Sequence, residues 1–204
     1  MRVIFAIIII FILSGLGVLK AQNFKGEIYA GAVGSQVSGD ELSGFNKGGF
    51  AIGAGVRLHI DEKSSIGFRL GYIQKGSRKP SAEENGIPSF YLLRLNYIEM
   101  PILYRYRTGK KLYFEAGPSL GYLFSAHEED QFGEMPYMKP FLKFDLGATA
   151  ILGYPLGKDW DFQFGFIQSV LPIREHGSGS TYRLNKGQYN TVMSFEFMKT
   201  FGSK

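Results

Sequence analysis

Residues 48–60, GGFAIGAGVRLHI, alternate without a slip between two kinds of side chain. Phe50, Ile52, Ala54, Val56, Leu58 and Ile60 share one parity, and Gly49, Ala51, Gly53, Gly55, Arg57 and His59 share the other. A strand sends successive side chains to opposite faces, so one face of this stretch is wholly apolar and the other is small or charged. The run is about twice the usual strand length, and a tilted strand needs roughly 9–11 residues to cross the hydrocarbon of a bilayer. It reads as one stave of a membrane β-barrel.

The same alternation recurs on both sides of it. Strands are expected at 24–35, 48–60, 66–74, 92–106, 112–124, 141–154, 160–170 and 188–201. Three tight turns centre on residues 63, 109 and 157; the other connections, 36–47, 75–89 or so, 125–139 and 171–187, are longer and richer in Gly, Pro and polar residues. Short turns at one rim and long loops at the other is the layout of an outer-membrane barrel. The expected fold is therefore all-β: an eight-stranded antiparallel up-and-down transmembrane β-barrel, in one domain over residues 22–204.

Alternation alone does not say which face meets lipid, because a soluble lipocalin-type carrier alternates too, with its apolar face inward. The polar parity decides. A water-facing surface would be crowded with Lys, Glu, Asp and Thr, whereas here it is largely glycine, with Gly49, Gly53, Gly55, Gly67, Gly71, Gly117, Gly121, Gly147, Gly153 and Gly165 on it. The lumen of an eight-stranded barrel is just wide enough for side chains to fill. It needs small residues where others are large, and bulky Phe, Leu and Ile from every strand would overfill it. Those residues fit the lipid side, with Tyr72, Tyr104, Tyr106, Tyr122, Tyr154 and Trp160 near strand ends as interfacial girdles.

The isolated charges on the inner parity then share one lumen: Lys25, Arg57, Arg69, Arg105 and Lys143 against Glu27, Glu99, Glu115, Asp145, Asp161 and Glu196. Charges in so dry a space must pair, because an unpaired one costs several kcal/mol. Arg57 and Arg69 flank the first turn and would repel, which places Glu27 or Glu99 between them. Either register of the hairpin around residue 109 sets Arg105 opposite Glu115 or one pair away. Pro101 and Pro118 come within a residue of facing each other in that hairpin, and neither can donate to a ladder, so a bulge or open pairing is expected there.

The 204-residue chain has Phe 18, Tyr 12, Gly 27 and Cys 0. The absence of cysteine excludes a disulfide framework and a Cys-ligated metal. The formal charge of +5 comes from scattered basic residues with no helix or aromatic-basic patch to gather them, so no nucleic acid is expected. Residues 1–21 combine Arg2, an apolar run from Val3 to Leu13, Ser14-Gly15 and a small residue at Ala21, the pattern of a secretory signal peptide cleaved after Ala21.

Candidate chemistry is sparse. His127-Glu128-Glu129-Asp130 offers oxygen and imidazole donors, but adjacent residues on a loop rarely converge on one cation. His176 and Ser178, with Glu175 beside them, carry the residue types of nucleophilic catalysis, which needs them within hydrogen-bond reach of each other. His59 reads as a hydrogen-bonded rim residue. No catalytic, cofactor or metal site is expected.

Tyr72-Ile73-Gln74-Lys75-Gly76, Asn96-Tyr97-Ile98-Glu99-Met100-Pro101 and Phe114-Glu115-Ala116-Gly117-Pro118-Ser119 together resemble the PorT-like family of small outer-membrane β-barrel proteins. The resemblance covers essentially the mature chain. It implies eight antiparallel strands and, through the family's namesake, a link to assembly of a secretion and gliding apparatus. The last strand, with Phe195, Phe197 and Phe201, is similar to the C-terminal aromatic signal read by the barrel-assembly machinery, although Gly202-Ser203-Lys204 follow the final aromatic. The partners expected are outer-membrane lipid, that machinery during biogenesis, and an envelope protein engaged by the long loops. A lipid-modifying enzyme acting through the fourth loop and a soluble exported ligand carrier are the competing readings.

Overall fold

A computed structural model describes residues 24–40, 42, 44–84, 87–109, 111–135, 139–175 and 187–202. The expected signal peptide lies outside these residues, as do His176 and Ser178. The strands are β1 (Phe24–Ser38), β2 (Lys47–His59), β3 (Ser64–Glu84), β4 (Ile87–Arg107), β5 (Tyr113–Asp130), the two-residue β6 (Gly133–Glu134), β7 (Phe144–Pro155), β8 (Trp160–Ser169) and β9 (Tyr189–Phe201). Every pairing is antiparallel; strands pair with their neighbours in sequence, except that β5 passes over the short flap β6, which it also pairs, to reach β7, and β1 pairs with β9 to close the ring.

Paired residues followed once round the barrel run Phe24, Leu58, Ile66, Tyr104, Ala116, Ala150, Phe166, Met193 and return to β1 at Gly34, ten residues above the start. A stagger of that size in eight strands tilts them by about 40° and closes a narrow cylinder. All nine of these residues lie on the outward parity.

Burial follows the parity. Phe50, Ile52 and Val56 of β2 are each just over half exposed, whereas Arg57 is completely buried. Phe68, Leu70, Ile102, Phe114, Leu146, Leu152, Phe195 and Phe197 stand outward as well, forming the apolar belt. This is the reverse of a soluble carrier, whose large apolar residues converge on a central pocket. Tyr104, Tyr106, Tyr154 and Trp160 ring the short-turn rim. On the loop side Tyr72 stacks between Phe50 and Phe124, with centroids 4.9 and 6.0 Å away.

The loop-side half departs from expectation in two places. Residues 75–89, whose Gly76, Pro80, Gly86 and Pro88 suggest loop, instead extend β3 and β4 to 21 residues each, with Glu84 paired to Ile87. Gly76 absorbs a φ of +136° and the register slips between Lys79 and Ala82, beside Pro80, so the breakers are accommodated within the hairpin. The acidic run after His127 likewise lies in β5 and not in a loop.

At Pro101 and Pro118 the β4–β5 ladder opens. Pro101 pairs with Ser119 and Tyr104 with Ala116, and between them the register is kept but the partners are not bonded. Gly117 sits at the gap with the Ile102 carbonyl oxygen where a Cβ would go, 1.8 Å from its ideal position.

Candidate functional site

The lumen is filled by two layers of charge. Nearest the short turns, Glu27 from β1 and Glu115 from β5 share three arginines. Arg57 holds Glu27 through Nε and through Nη2 at 3.1 Å, and reaches Glu115 at 3.0 Å. Arg69 lies 3.2 Å from Glu115 and 3.6 Å from Glu27. Arg105, directly opposite Glu115 in the ladder, closes the cluster. Glu27 thus sits between Arg57 and Arg69, as their repulsion demands. Asp161 and Glu196 stand at the edge, each 3.9 Å from a guanidinium, Arg105 and Arg69 respectively. Arginine suits this role because its planar fork addresses two carboxylates at once.

Toward the loops, Lys75 extends its ammonium to Glu99 at 3.3 Å and Asp145 at 3.1 Å. Asp145 also accepts from Ser169 Oγ at 2.7 Å and Asn190 Nδ2 at 2.9 Å. Each layer has a buried tyrosine against its cation. The Tyr29, Tyr97 and Tyr113 rings lie 5.1, 4.9 and 3.9 Å from Arg69, Lys75 and Arg105. Lumen glycines leave room for them: a Cβ on Gly71 would come within 2.2 Å of Tyr29 Oη, and one on Gly153 within 2.0 Å of the Tyr113 ring.

Between the layers lies a cavity of about 30 Å³ lined by Tyr29, Arg69, Glu99, Thr149, Ser194 and Glu196, among others. Among the described residues the Thr149 hydroxyl, which is buried, has no hydrogen-bond partner, and the space is enough for water. Above the upper layer the lumen turns apolar, with Val37, Leu93, Leu95 and Leu123 buried. The chain after β8 then folds over it. Ile173 is fully buried and Arg174 is bidentate to Glu128, at 2.6 and 3.0 Å, with its guanidinium 4.1 Å from the Phe141 ring.

Of the eleven charges assigned to the lumen by parity, nine are buried and joined in these layers. Two are not. Lys143 is exposed: it lies one residue before β7 begins, and although its carbonyl still accepts from the Leu123 N–H at 2.7 Å, its side chain is not held in the lumen. Lys25 is half-buried at the turn-side rim, and no ion pair among the described residues includes it. The upper cation is instead Lys75. Its parity continues Arg69 and Gly71 along the same strand, a signal hidden by ending that strand at Gln74. Tyr97 and Tyr113 share the inward parity of Glu99 and Glu115, a signal masked by a residue type that also makes the girdles, and Arg174 lies in a loop where parity gives no signal. His127 faces Glu129 and Glu134 with opposite ring nitrogens, at 3.2 and 3.3 Å, a chain of contacts and not a convergent metal site.

A family model, the outer membrane protein beta-barrel domain, matches residues 17–174. The chain belongs to that family. Membership places it in the bacterial outer membrane, in agreement with the outward apolar belt. Among solved structures, Neisserial surface protein A is similar over 86% of this chain and 97% of its own, at 14% identity and a TM-score of 0.53. Ail, the attachment invasion locus protein of Yersinia pestis, is similar over 88% of this chain and all of its own, at 14% identity and a TM-score of 0.51. At such identities the likeness is one of fold: a small, ring-closed, antiparallel outer-membrane barrel. No curated protein sequence matches the chain.

Proposed function

We propose that this protein is a non-enzymatic outer-membrane barrel that acts as a rigid membrane anchor, presenting its long β3–β4 hairpin and neighbouring loops to an envelope partner. The observation that carries the reading is the closure of the lumen. Three arginines and two glutamates cross-link β1, β2, β3, β4 and β5 through the interior at the turn side, and Arg174 with Glu128 covers the loop side. A barrel stiffened in this way is built to hold something up rather than to pass something through. On this reading residues 1–21 direct export and are removed after Ala21, and the barrel-assembly machinery inserts the mature chain. The resemblance to the PorT-like family favours a partner within a secretion or gliding apparatus.

The test has two parts. Planar-bilayer recordings of the purified protein are expected to show no steady conductance, and a large, steady one would overturn the plug. Cross-linking in native membranes, from cysteines placed in the β3–β4 hairpin, is expected to capture one recurrent envelope protein. Capture of lipid alone would leave the barrel without the partner assigned to it. The competing lipid-enzyme reading is met by replacing His176 and Ser178, which is expected to leave the membrane lipid profile unchanged.

A further inference from the structure

Just beyond the loop-side aromatic stack, the outer wall carries a polar row and then a cluster of cations. Tyr72 Oη donates to Asn96 Oδ1 at 2.7 Å, and Gln74 Nε2 donates to Asn96 Oδ1 at 3.2 Å and to Tyr72 Oη at 3.3 Å. Lys47 Nζ is tied to the same row through Gln74 Oε1 at 3.1 Å. One pleat above Asn96 stands Arg94, opposite Gly76; Arg78 is its diagonal neighbour across the strand pair, and both are exposed. Gly76 puts no side chain between them. Lys47, itself buried behind the row, lies close enough to Arg78 and Arg94 to be repelled by each, and no ion pair among the described residues includes any of the three. Glu129 and Glu134 stand nearby and contact His127, which faces Arg94 from β5, but neither carboxylate forms an ion pair with Arg78 or Arg94.

Exposed guanidiniums that form no ion pair among the described residues offer a site for an anion, and the position says which kind. Phe50, Tyr72 and Phe124 below mark the top of the apolar belt, the hydrogen-bonded row marks its edge, and arginine side chains reach down along the wall from above. The group that sits at this depth is a lipid headgroup. We propose that Arg78 and Arg94, backed by Lys47, bind the phosphate of an outer-leaflet lipid whose acyl chains lie against Phe50, Tyr72 and Phe124. The proposal rests on the outer-membrane reading and adds a specific lipid contact to it.

The experiment uses the full mature protein in dodecyl maltoside micelles, incubated with bis-phosphorylated lipid A or with the same lipid after removal of its phosphates, and native mass spectrometry to count retained lipid. The protein is expected to hold the phosphorylated form roughly thirtyfold more tightly, the combined effect of two basic side chains near a headgroup. R78Q/R94Q is expected to abolish the preference, R78K/R94K to keep part of it, and added salt to weaken it. Equal retention of the two lipids, or an unchanged preference in R78Q/R94Q, overturns the proposal. So does full displacement by millimolar inorganic phosphate, which would make the site one for the free ion, or by an acidic peptide at similar concentration, which would make it a protein contact. Heat-modifiable migration in gels checks that each variant keeps its barrel. A protein that fails to embed in bilayers contradicts the outer-membrane reading itself, whereas one that embeds without headgroup preference contradicts this proposal alone.

Discussion

Near the short turns the lumen is held by three guanidiniums shared between two glutamates, whereas near the loops a single ammonium, Lys75, serves two carboxylates and the space above it is apolar. The contrast shows two ways of filling a dry cylinder. At the turn side tight hairpins fix the ends of β2 to β5, β7 and β8, and β1 is held by its ladders to β2 and β9, so a rigid, multidentate network can form at little further conformational cost. At the loop side the strands run on past the membrane, and Asp145 gains separate donors from Ser169 and Asn190 in place of a second cation. The turn-side cluster is accordingly the part whose members cannot be removed singly.

Substitutions that unbalance one half and spare the other sharpen the contrast. Glu115→Gln removes the carboxylate that faces Arg57, Arg69 and Arg105, leaving buried guanidiniums undercompensated. It is expected to cost about 3–5 kcal/mol, the range for breaking a buried ion pair. Urea titration in phospholipid vesicles reads this, followed by the emission of Trp160, the single tryptophan. Lys75→Met breaks the loop-side layer, but Asp145 keeps two donors, so the loss is expected to be smaller, about 2–3 kcal/mol. If Lys75→Met proves the more damaging of the two, the contrast between the halves is wrong.

Gly153→Ala drives a methyl into the Tyr113 ring and is expected to cost about 1–3 kcal/mol by overpacking. Tyr113→Leu added to it is expected to recover part of that, a coupling that a double-mutant cycle measures. The smallest effect is at the first turn. The N–H groups of Lys63 and Ser64 donate to Asp61 Oδ1 at 2.7 and 2.8 Å, and they hold its carboxyl below the ordinary aspartate range. A depressed folded value contributes stability that is fully present above the unfolded pKa and lost as pH falls through the folded one. Asp61→Ala is therefore expected to lower the urea midpoint slightly at neutral pH, with the difference closing in acid. A difference that grows in acid would contradict the turn geometry.

The two halves also differ in how far they can be read in advance. Strict alternation from Phe50 to Ile60 and its echoes locate every stave, its outward face and the arginine–glutamate cluster, because burial forces those positions to one residue class. Past the hydrocarbon that force is gone. Residues 75–89 contain the usual breakers of a loop, yet cross-strand pairing carries β3 and β4 through them once Gly76 and the slip beside Pro80 absorb the distortion. Lys75 is hidden for that reason, and Lys143 is misplaced for the converse one, since parity carries an assignment one residue beyond the end of a strand. Tyr97 and Tyr113 show a further limit: tyrosine is as much at home on a membrane rim as stacked on a buried cation, and only their shared parity with Glu99 and Glu115 tells the two places apart.

The central claim is the direction of the two faces, and the cysteine-free sequence makes it directly measurable. Single cysteines placed at each position from 48 to 60, spin-labelled and reconstituted in phospholipid bilayers, report collision with dissolved oxygen in hydrocarbon. High accessibility at Phe50, Ile52, Ala54, Val56 and Leu58, with low values at Ala51, Gly53, Gly55 and Arg57, is the expected period-two pattern. The opposite phase, or labels at the apolar positions reached instead by a water-soluble nickel reagent, would contradict the account.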